Sequence, residues 1–231
     1  MKTIGLLGGM SWESTALYYS IINEAVKERL GGLHSARCCL VSIDFAEIEA
    51  LQHRGQWDAA AELLTRAAQA VERGGADCLV ICTNTMHRVA DAVQAGIDIP
   101  LLHIADATGR QLERDGIDKV ALLGTRFTME EAFYRDRLTA GFGLEVLTPD
   151  RDGREAMHRI IYEELCLGTV DAASRDIVLG IMDALRAVGA EAVILGCTEI
   201  TMLIKPEHTD MRLYDTTRIH AQAAVDWALA A

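Results

Sequence analysis

The sequence has few basic residues and no long apolar run, and each shortage argues against a class of protein. Its 231 residues include four lysines and three prolines, and 22 basic residues face 34 acidic ones, for a net charge of −12. Non-specific nucleic-acid binding depends on clustered Lys and Arg, so we expect no nucleic-acid partner. Because no stretch of about 20 apolar residues and no signal-peptide core is present, we expect no membrane association and a cytoplasmic protein.

Metal and cofactor chemistry also have little support in the sequence. The six cysteines form no CxxC pair and the seven histidines form no HExxH motif, so no metal site is predicted. No lysine lies in a loop that we predict to bind a ligand, with only Lys205 left open, which argues against a pyridoxal Schiff base. We therefore expect no cofactor.

Short apolar runs alternate with longer amphipathic stretches along the whole chain. Runs of this kind are typical of strands buried on both faces, and the stretches between them are typical of covering helices. The alternation predicts an α/β fold in which parallel sheets are flanked by helices. The predicted strands are residues 3–7, 39–43, 78–81, 120–123 and 192–195.

Two segments of the chain repeat in the same order about half a chain apart. The segment from Gly75 resembles the one from Gly189 (75 + 114 = 189), and the segment from Lys2 resembles the one from Asp118 (2 + 116 = 118). Buried strands of any α/β protein look alike, but two ordered pairs favour duplication. We therefore predict two pseudo-symmetric domains, residues 1–97 plus 208–231 and residues 98–207, with the last helix returning to the first half because a polar turn follows Lys205.

Polar residues follow four of the predicted strands, where open parallel sheets usually bind ligands. Two related halves that face each other would direct these loops toward one small anionic ligand. The Gly8-Gly9 loop could instead be only a tight strand–helix turn. The four segments are residues 8–11, 83–85, 124–126 and 197–199.

Cys197 is the candidate reactive residue, since a thiol before a helix N-terminus is expected to have a lowered pKa. A buried structural thiol is the alternative, and Glu199 could either perturb the thiol or only cap the helix. The repeat aligns Thr83 with Cys197 (83 + 114 = 197), whereas Cys82 points to the opposite strand face and is expected to be packing. His87 and His103 are more typical of hydrogen-bonded structural residues.

The motifs Gly8-Gly-Met10, Thr83-Asn-Thr-Met-His87 and Gly196-Cys-Thr-Glu199 resemble those of the aspartate/glutamate racemase family, which is independent of pyridoxal phosphate. The resemblance spans essentially the whole chain. It implies two pseudo-symmetric α/β domains with the active site between them and a cysteine from each on opposite faces of the substrate α-carbon. It also implies a homodimer. One thiolate removes the α-proton while one thiol donates a proton to the other face.

The sequence departs from the family pattern at one place, because Thr83 stands where the first cysteine is expected. The resemblance then implies that Cys197 serves the L-isomer and that Thr83 is a weaker partner, acting directly or through water. The family arginine for the side-chain carboxylate has no clear match, and Gln52 or Arg54 could replace it. Aspartate and glutamate stay open as substrates.

The expected function is a cofactor-independent racemase that prefers L-aspartate or L-glutamate. The alternatives are a related isomerase or lyase acting on a dicarboxylate, or a catalytically weak protein that binds an acidic metabolite. The expected catalytic residues are Cys197 and Thr83. The expected substrate-binding residues are Met10, Gln52, Asn84, Thr85, Thr125, Thr198 and Glu199.

Overall fold

A computed structural model describes residues 1–230. Their contacts divide into a first unit, residues 1–104 and 217–230, and a second unit, residues 105–216. The described strands are β1 (Ile4–Gly8), β2 (Cys38–Ser42), β3 (Cys78–Ile81), β4 (Lys119–Leu123), β5 (Glu145–Leu147), β6 (Ala192–Leu195) and β7 (Arg212–Asp215). The described α-helices are α1 (Trp12–Leu30), α2 (Phe45–His53), α3 (Trp57–Arg73), α4 (Ala90–Ala95), α5 (Ile104–Arg114), α6 (Arg126–Glu130), α7 (Ala132–Phe142), α8 (Arg151–Arg159), α9 (Ala172–Ala187), α10 (Ile200–Leu203) and α11 (Thr216–Leu229).

The first unit is built on a parallel sheet with the strand order β2-β1-β3. Successive residues of β1 point to opposite faces, so Ile4 and Leu6 pack with α1 and α11 while Leu7 packs with α2, α3 and α4. Every residue of β1 and β3 is buried, which explains their continuous apolar sequence. A single further bridge, Leu79 to Leu101, extends the sheet beyond β3.

The second unit has a four-stranded parallel sheet with the order β5-β4-β6-β7. One face of β4 and β6 packs against α8, α9 and α10 through a cluster that includes Leu123, Met157, Met182 and Leu195. Helices therefore cover parallel strands in this unit as in the first, and the predicted α/β class is confirmed.

The repeat predicted from the sequence is visible in the strand register. Ile4 pairs with Cys78 in the first unit, and Val120 pairs with Ala192 in the second. These four residues are the ones that the two sequence offsets align (4 + 116 = 120 and 78 + 114 = 192). The pairing of β6 with β7 corresponds to the single Leu79–Leu101 bridge, so the two units share one strand order and differ in the extent of the last strand.

The turn before β3 and the turn before β6 are also alike. Gly75 has φ +86° and Gly189 has φ +102°, values in a region that residues with a Cβ rarely adopt. The glycine that opens each repeated segment is therefore required by the same backbone turn.

The last helix, α11, belongs to the first unit except for its first residue, Thr216. The Lys2 N–H donates to the Ala228 carbonyl at 3.0 Å, and the Lys2 ammonium lies 4.4 Å from the centre of the Trp227 ring. Arg29 on α1 forms an ion pair with Asp226. The C-terminal helix thus completes one layer of the first unit. None of the helices within residues 1–230 is both long and apolar enough to cross a membrane.

Candidate active site

The two candidate catalytic residues occupy the same position relative to their strands. Thr83 is the second residue after β3, and Cys197 is the second residue after β6. Ile81 at the end of β3 pairs with Leu7, just as Leu195 at the end of β6 pairs with Leu123. Each residue therefore lies just beyond the carboxyl end of a parallel strand, where such sheets commonly bind ligands.

Cys82 has the packing role predicted for it. It is fully buried, and it lies in the core cluster that contains Ile4, Tyr18 and Val80. Burial raises the pKa of its thiol far above the ordinary value. Thr83, the next residue, is half-buried and is the residue of this pair that solvent reaches.

The loop after β3 is ordered by hydrogen bonds of its own backbone. Asn84 is buried, and Thr85 begins a 3₁₀ turn over Thr85–Val89. The His87 N–H donates to the Asn84 carbonyl at 3.1 Å, and His87 Nδ1 lies 2.8 Å from the Thr83 carbonyl oxygen. Thr83, Asn84 and Thr85 are therefore brought together at one strand end of the first unit.

Cys197 and Glu199 form a thiol–carboxylate pair in the second unit. The Cys197 Sγ donates to Glu199 Oε2 at 2.9 Å, and both residues are half-buried. Desolvation, followed by the negative charge and hydrogen bond of Glu199, raises the pKa of the Cys197 thiol well above its usual range. At neutral pH the thiol is protonated and its proton points at a carboxylate.

The expectation of a lowered Cys197 pKa is therefore wrong. It rested on a following helix, but α10 has only four residues and begins after Glu199. The macrodipole effect acts within the terminal turn and is small for so short a helix, whereas the carboxylate is in direct contact with the sulfur. The carboxylate contact and burial outweigh the dipole.

The Gly8-Gly9 loop is tightly packed. Gly9 has φ +91°, and its N–H donates to Thr15 Oγ1 at 2.8 Å. A Cβ at Gly9 would collide with the Ile43 backbone, so glycine is required there for packing alone. The Met10 side chain is buried in the core, which leaves only its backbone for a ligand.

Thr125 and Thr198, two candidate substrate-binding residues, lie in local turns of the second unit. Thr125 is the N-cap of α6, where its Oγ1 accepts from the Thr128 N–H at 3.4 Å. The Thr198 carbonyl accepts from Thr201 Oγ1 at 2.7 Å. Thr198 lies beside Cys197 and Glu199, so these three residues share one strand end.

Gln52 and Arg54 differ in burial. Gln52 lies on α2 and is 4% exposed, whereas Arg54 is exposed and its Nε donates to the Ala50 carbonyl at 2.9 Å. Gln52 is therefore the buried polar group of the two. Within residues 1–230, no cluster of three or more His, Cys, Asp or Glu side chains is arranged to hold a metal ion.

Sequence reasoning missed a group behind the Thr83 loop. Tyr18 and His220 are fully buried there beside His87 and His103. The available signal was weak, because His220 lies on the buried face of a helix and is separated from Tyr18 by 202 positions.

The chain is similar to several known proteins. The family model for Asp/Glu/hydantoin racemase matches residues 7–224. A crystal structure of an Asp/Glu racemase candidate from Yersinia pestis is 55% identical, covers 100% of both chains and has a TM-score of 0.95. An aspartate racemase homologue from Pyrococcus horikoshii is 35% identical over 100% of both chains, with a TM-score of 0.87. The broad-specificity amino-acid racemase RacX of Bacillus subtilis is 24% identical over 68% of this chain and 69% of its own length.

Proposed function

Because the chain belongs to the Asp/Glu/hydantoin racemase family, we propose that it is a cofactor-independent racemase of acidic amino acids with a preference for L-aspartate or L-glutamate. The family match and the relatives described as racemases support the reaction type. The acidic substrate is supported by the polar strand ends and by the names of the relatives.

The observation that carries the proposal is the Cys197–Glu199 pair at the end of β6. A thiol with a raised pKa is a poor base by itself, but Glu199 is 2.9 Å away and can accept its proton. The resulting thiolate would then remove the α-proton of the L-isomer. The proton would pass from carbon to sulfur while Glu199 holds the proton that the thiol released. Glu199 would lose that proton to solvent before the next turnover.

Completion of the inversion needs a proton on the other face of the α-carbon. We assign this step to Thr83, which would donate directly or through a water molecule and be reprotonated from solvent. An alcohol is far less acidic than a thiol, so this step is slower than the one at Cys197. The proposal therefore predicts unequal exchange of the two isomers.

The charge that develops on the carbanion and its carboxylate must be stabilised by hydrogen-bond donors. We propose that Asn84, Thr85, Thr125, Thr198 and the backbone near Met10 hold the α-carboxylate and amine. Gln52 is our candidate for the side-chain carboxylate, because it is buried and Arg54 is exposed. An amide donates one or two hydrogen bonds to a carboxylate without forming a salt bridge.

The test is proton exchange at the α-carbon in D₂O, followed by NMR, beside chiral chromatography of the product. Enantiopure aspartate and glutamate are supplied in turn, and a panel of dicarboxylates without an amine serves as the comparison. We expect loss of the α-proton signal from an L-isomer and slower appearance of the D-isomer. Binding of the acidic amino acid without any exchange would show a binding protein instead. Turnover of a dicarboxylate alone would show a related isomerase or lyase.

A further inference from the structure

A buried cluster of three histidines and one tyrosine lies beneath the Thr83 loop. Tyr18, His87, His103 and His220 are each no more than 5% exposed. The centre of the His87 ring is 4.5 Å from that of His103 and 5.6 Å from that of His220. These groups come from α1, the loop after β3, the segment before α5, and α11.

The hydrogen bonds of His220 assign one neutral tautomer to its ring. His220 Nε2 lies 2.7 Å from the Leu102 carbonyl, which can only accept, so Nε2 carries the proton. His220 Nδ1 lies 2.9 Å from the Tyr18 hydroxyl and accepts from it. This pair anchors α11 and α1 next to His87.

The hydrogen bonds of His87 assign the opposite tautomer. His87 Nδ1 faces the Thr83 carbonyl oxygen at 2.8 Å and must donate to it. The Ile104 N–H donates to His87 Nε2 at 3.2 Å, so Nε2 carries no proton. One ring thus connects the backbone of Thr83 to the first residue of α5 through two directional bonds.

A second proton on this ring is strongly disfavoured. Burial, followed by the neighbouring His103 and His220, holds the pKa of His87 well below its usual range. A proton on Nε2 would also remove the acceptor for Ile104. The neutral form with its proton on Nδ1 is therefore the one that the surroundings select at neutral pH.

We propose that His87 is a positioning residue for the half-reaction at Thr83, since its Nδ1–H holds the Thr83 carbonyl and thereby fixes where the Thr83 hydroxyl points. The inference rests on the racemase function proposed above and extends it to one residue that does not touch the substrate. Without this bond, the Thr83 carbonyl would lose its side-chain anchor and the hydroxyl its fixed direction. Misplacement of a reacting group by about 1 Å can cost up to about 10²-fold in rate.

The equivalent position of the second unit supports a role specific to Thr83. Position 201 aligns with His87 (87 + 114 = 201), and Thr201 donates to the Thr198 carbonyl instead of that of Cys197. Cys197 is oriented through its side chain by Glu199. A change at His87 should therefore affect one face of the reaction and leave the other intact.

The experiment compares His87→Leu, His87→Asn and the control His34→Asn, whose histidine is exposed in the same unit. For each protein we measure α-proton exchange of the L-isomer, exchange of the D-isomer and inversion. In His87→Leu, D-isomer exchange and inversion should fall by roughly tenfold or more while L-isomer exchange stays within about twofold. His87→Asn keeps a donor near Nδ1 and should recover most of the loss. Equal losses in all three rates, or no loss in His87→Leu, would overturn the proposal.

A measurement on the unmodified protein keeps the proposal testable if His87→Leu does not fold. ¹⁵N NMR of the histidine rings should show one buried ring protonated at Nδ1 and not at Nε2 at pH 7, and its signals should be absent from His87→Asn. An Nε2–H tautomer or a doubly protonated ring would refute the assigned bonds. If the unmodified protein shows no α-proton exchange at all, the proposed racemase function is wrong. If it exchanges normally and the His87 variants keep the same ratio of D-isomer to L-isomer exchange, only the role of His87 is rejected.

Discussion

The loop after β3 and the loop after β6 occupy matching places in sheets of the same strand order, yet they orient their candidate catalytic residues in different ways. Thr83 is held through its backbone carbonyl by His87. Cys197 is held through its side chain by Glu199. The duplicated sheets kept their scaffold, since the register of β1 with β3 equals that of β4 with β6. The difference teaches that one strand register can present different chemistry at its two strand ends.

The largest effect should come from the removal of the thiol in the second unit. Cys197→Ser should lower exchange of the L-isomer by about 10²–10⁴-fold, because an alcohol replaces the group that takes the proton. The control is Cys166→Ser, which changes an exposed thiol of the same unit. NMR of the α-proton in D₂O measures both variants. Near-normal exchange in Cys197→Ser would place the base elsewhere.

The next prediction tests whether Thr83 alone makes exchange of the D-isomer slower than exchange of the L-isomer. Thr83→Cys should speed D-isomer exchange and inversion by up to about 10²-fold, because a thiol is a far stronger acid than an alcohol. Ser35→Cys, which adds a thiol at an exposed position of the same unit, is the matched control. If the unmodified protein already exchanges both isomers equally, the asymmetry between the two loops is wrong.

A third prediction concerns Glu199, for which two readouts should change in opposite directions. Glu199→Gln removes the negative charge that raises the Cys197 pKa, so the thiol should become more acidic and iodoacetamide should alkylate it faster at pH 7.5. Each unit by which the pKa falls raises the thiolate fraction by about tenfold. Exchange of the L-isomer should nevertheless slow, since the acceptor of the thiol proton is lost.

The control for Glu199 is Glu207→Gln, an exposed carboxylate of the same unit. Alkylation rates are measured in a Cys166→Ser background so that the exposed thiol does not contribute. Slower alkylation of Cys197 in Glu199→Gln would contradict the assigned interaction.

The smallest expected effect is a difference in acid stability between the units. The folded-state pKa of His87 lies below that of an unfolded histidine, so below about pH 6.5 the unfolded chain binds the extra proton. The free energy of unfolding should therefore fall as the pH drops, by up to about 1.4 kcal/mol per pH unit for this group. In the second unit, His158 and His208 are half-exposed, whereas His87 in the first unit is buried.

This difference is checked by urea unfolding at pH 7.5 and 5.5. Amide hydrogen exchange at both pH values then reports the stability of each unit separately. His87→Asn should have a shallower pH dependence than the unmodified protein, and His34→Asn should not. Equal acid sensitivity of both units, unchanged in His87→Asn, would show that the buried ring contributes nothing.

Much of the fold could be predicted from local pattern. Each of the five predicted strands is observed with bounds that differ by at most one residue at either end, because short apolar runs are a strong signal. The expectation of burial on both faces is wrong for β2, in which Leu40 and Ser42 are exposed. The missed strands, β5 and β7, are short, and each contains exposed or half-buried residues. Helix α1 begins at Trp12, where Ser11 serves as its N-cap.

The candidate site was predicted less completely. The offset of 114 placed Thr83 and Cys197 at equivalent strand ends, and the alternation of strand faces predicted that Cys82 would be in the core. The direction of the Cys197 pKa was wrong, because spacing alone does not show that the Glu199 side chain turns back to the sulfur. The contact between α1 and α11 that brings Tyr18 to His220 has no local signature at all.

By itself, the sequence determined the alternation of strands and helices, the duplication and the residue types at the strand ends. These features depend on local periodicity and on similarity along the chain. Only the tertiary structure decided which side chains meet, such as Glu199 with the Cys197 thiol and His87 with the Thr83 carbonyl. It also decided which groups lose their solvation. Both outcomes depend on long-range packing, in which desolvation and a single charged or directional contact outweigh any local preference of the chain.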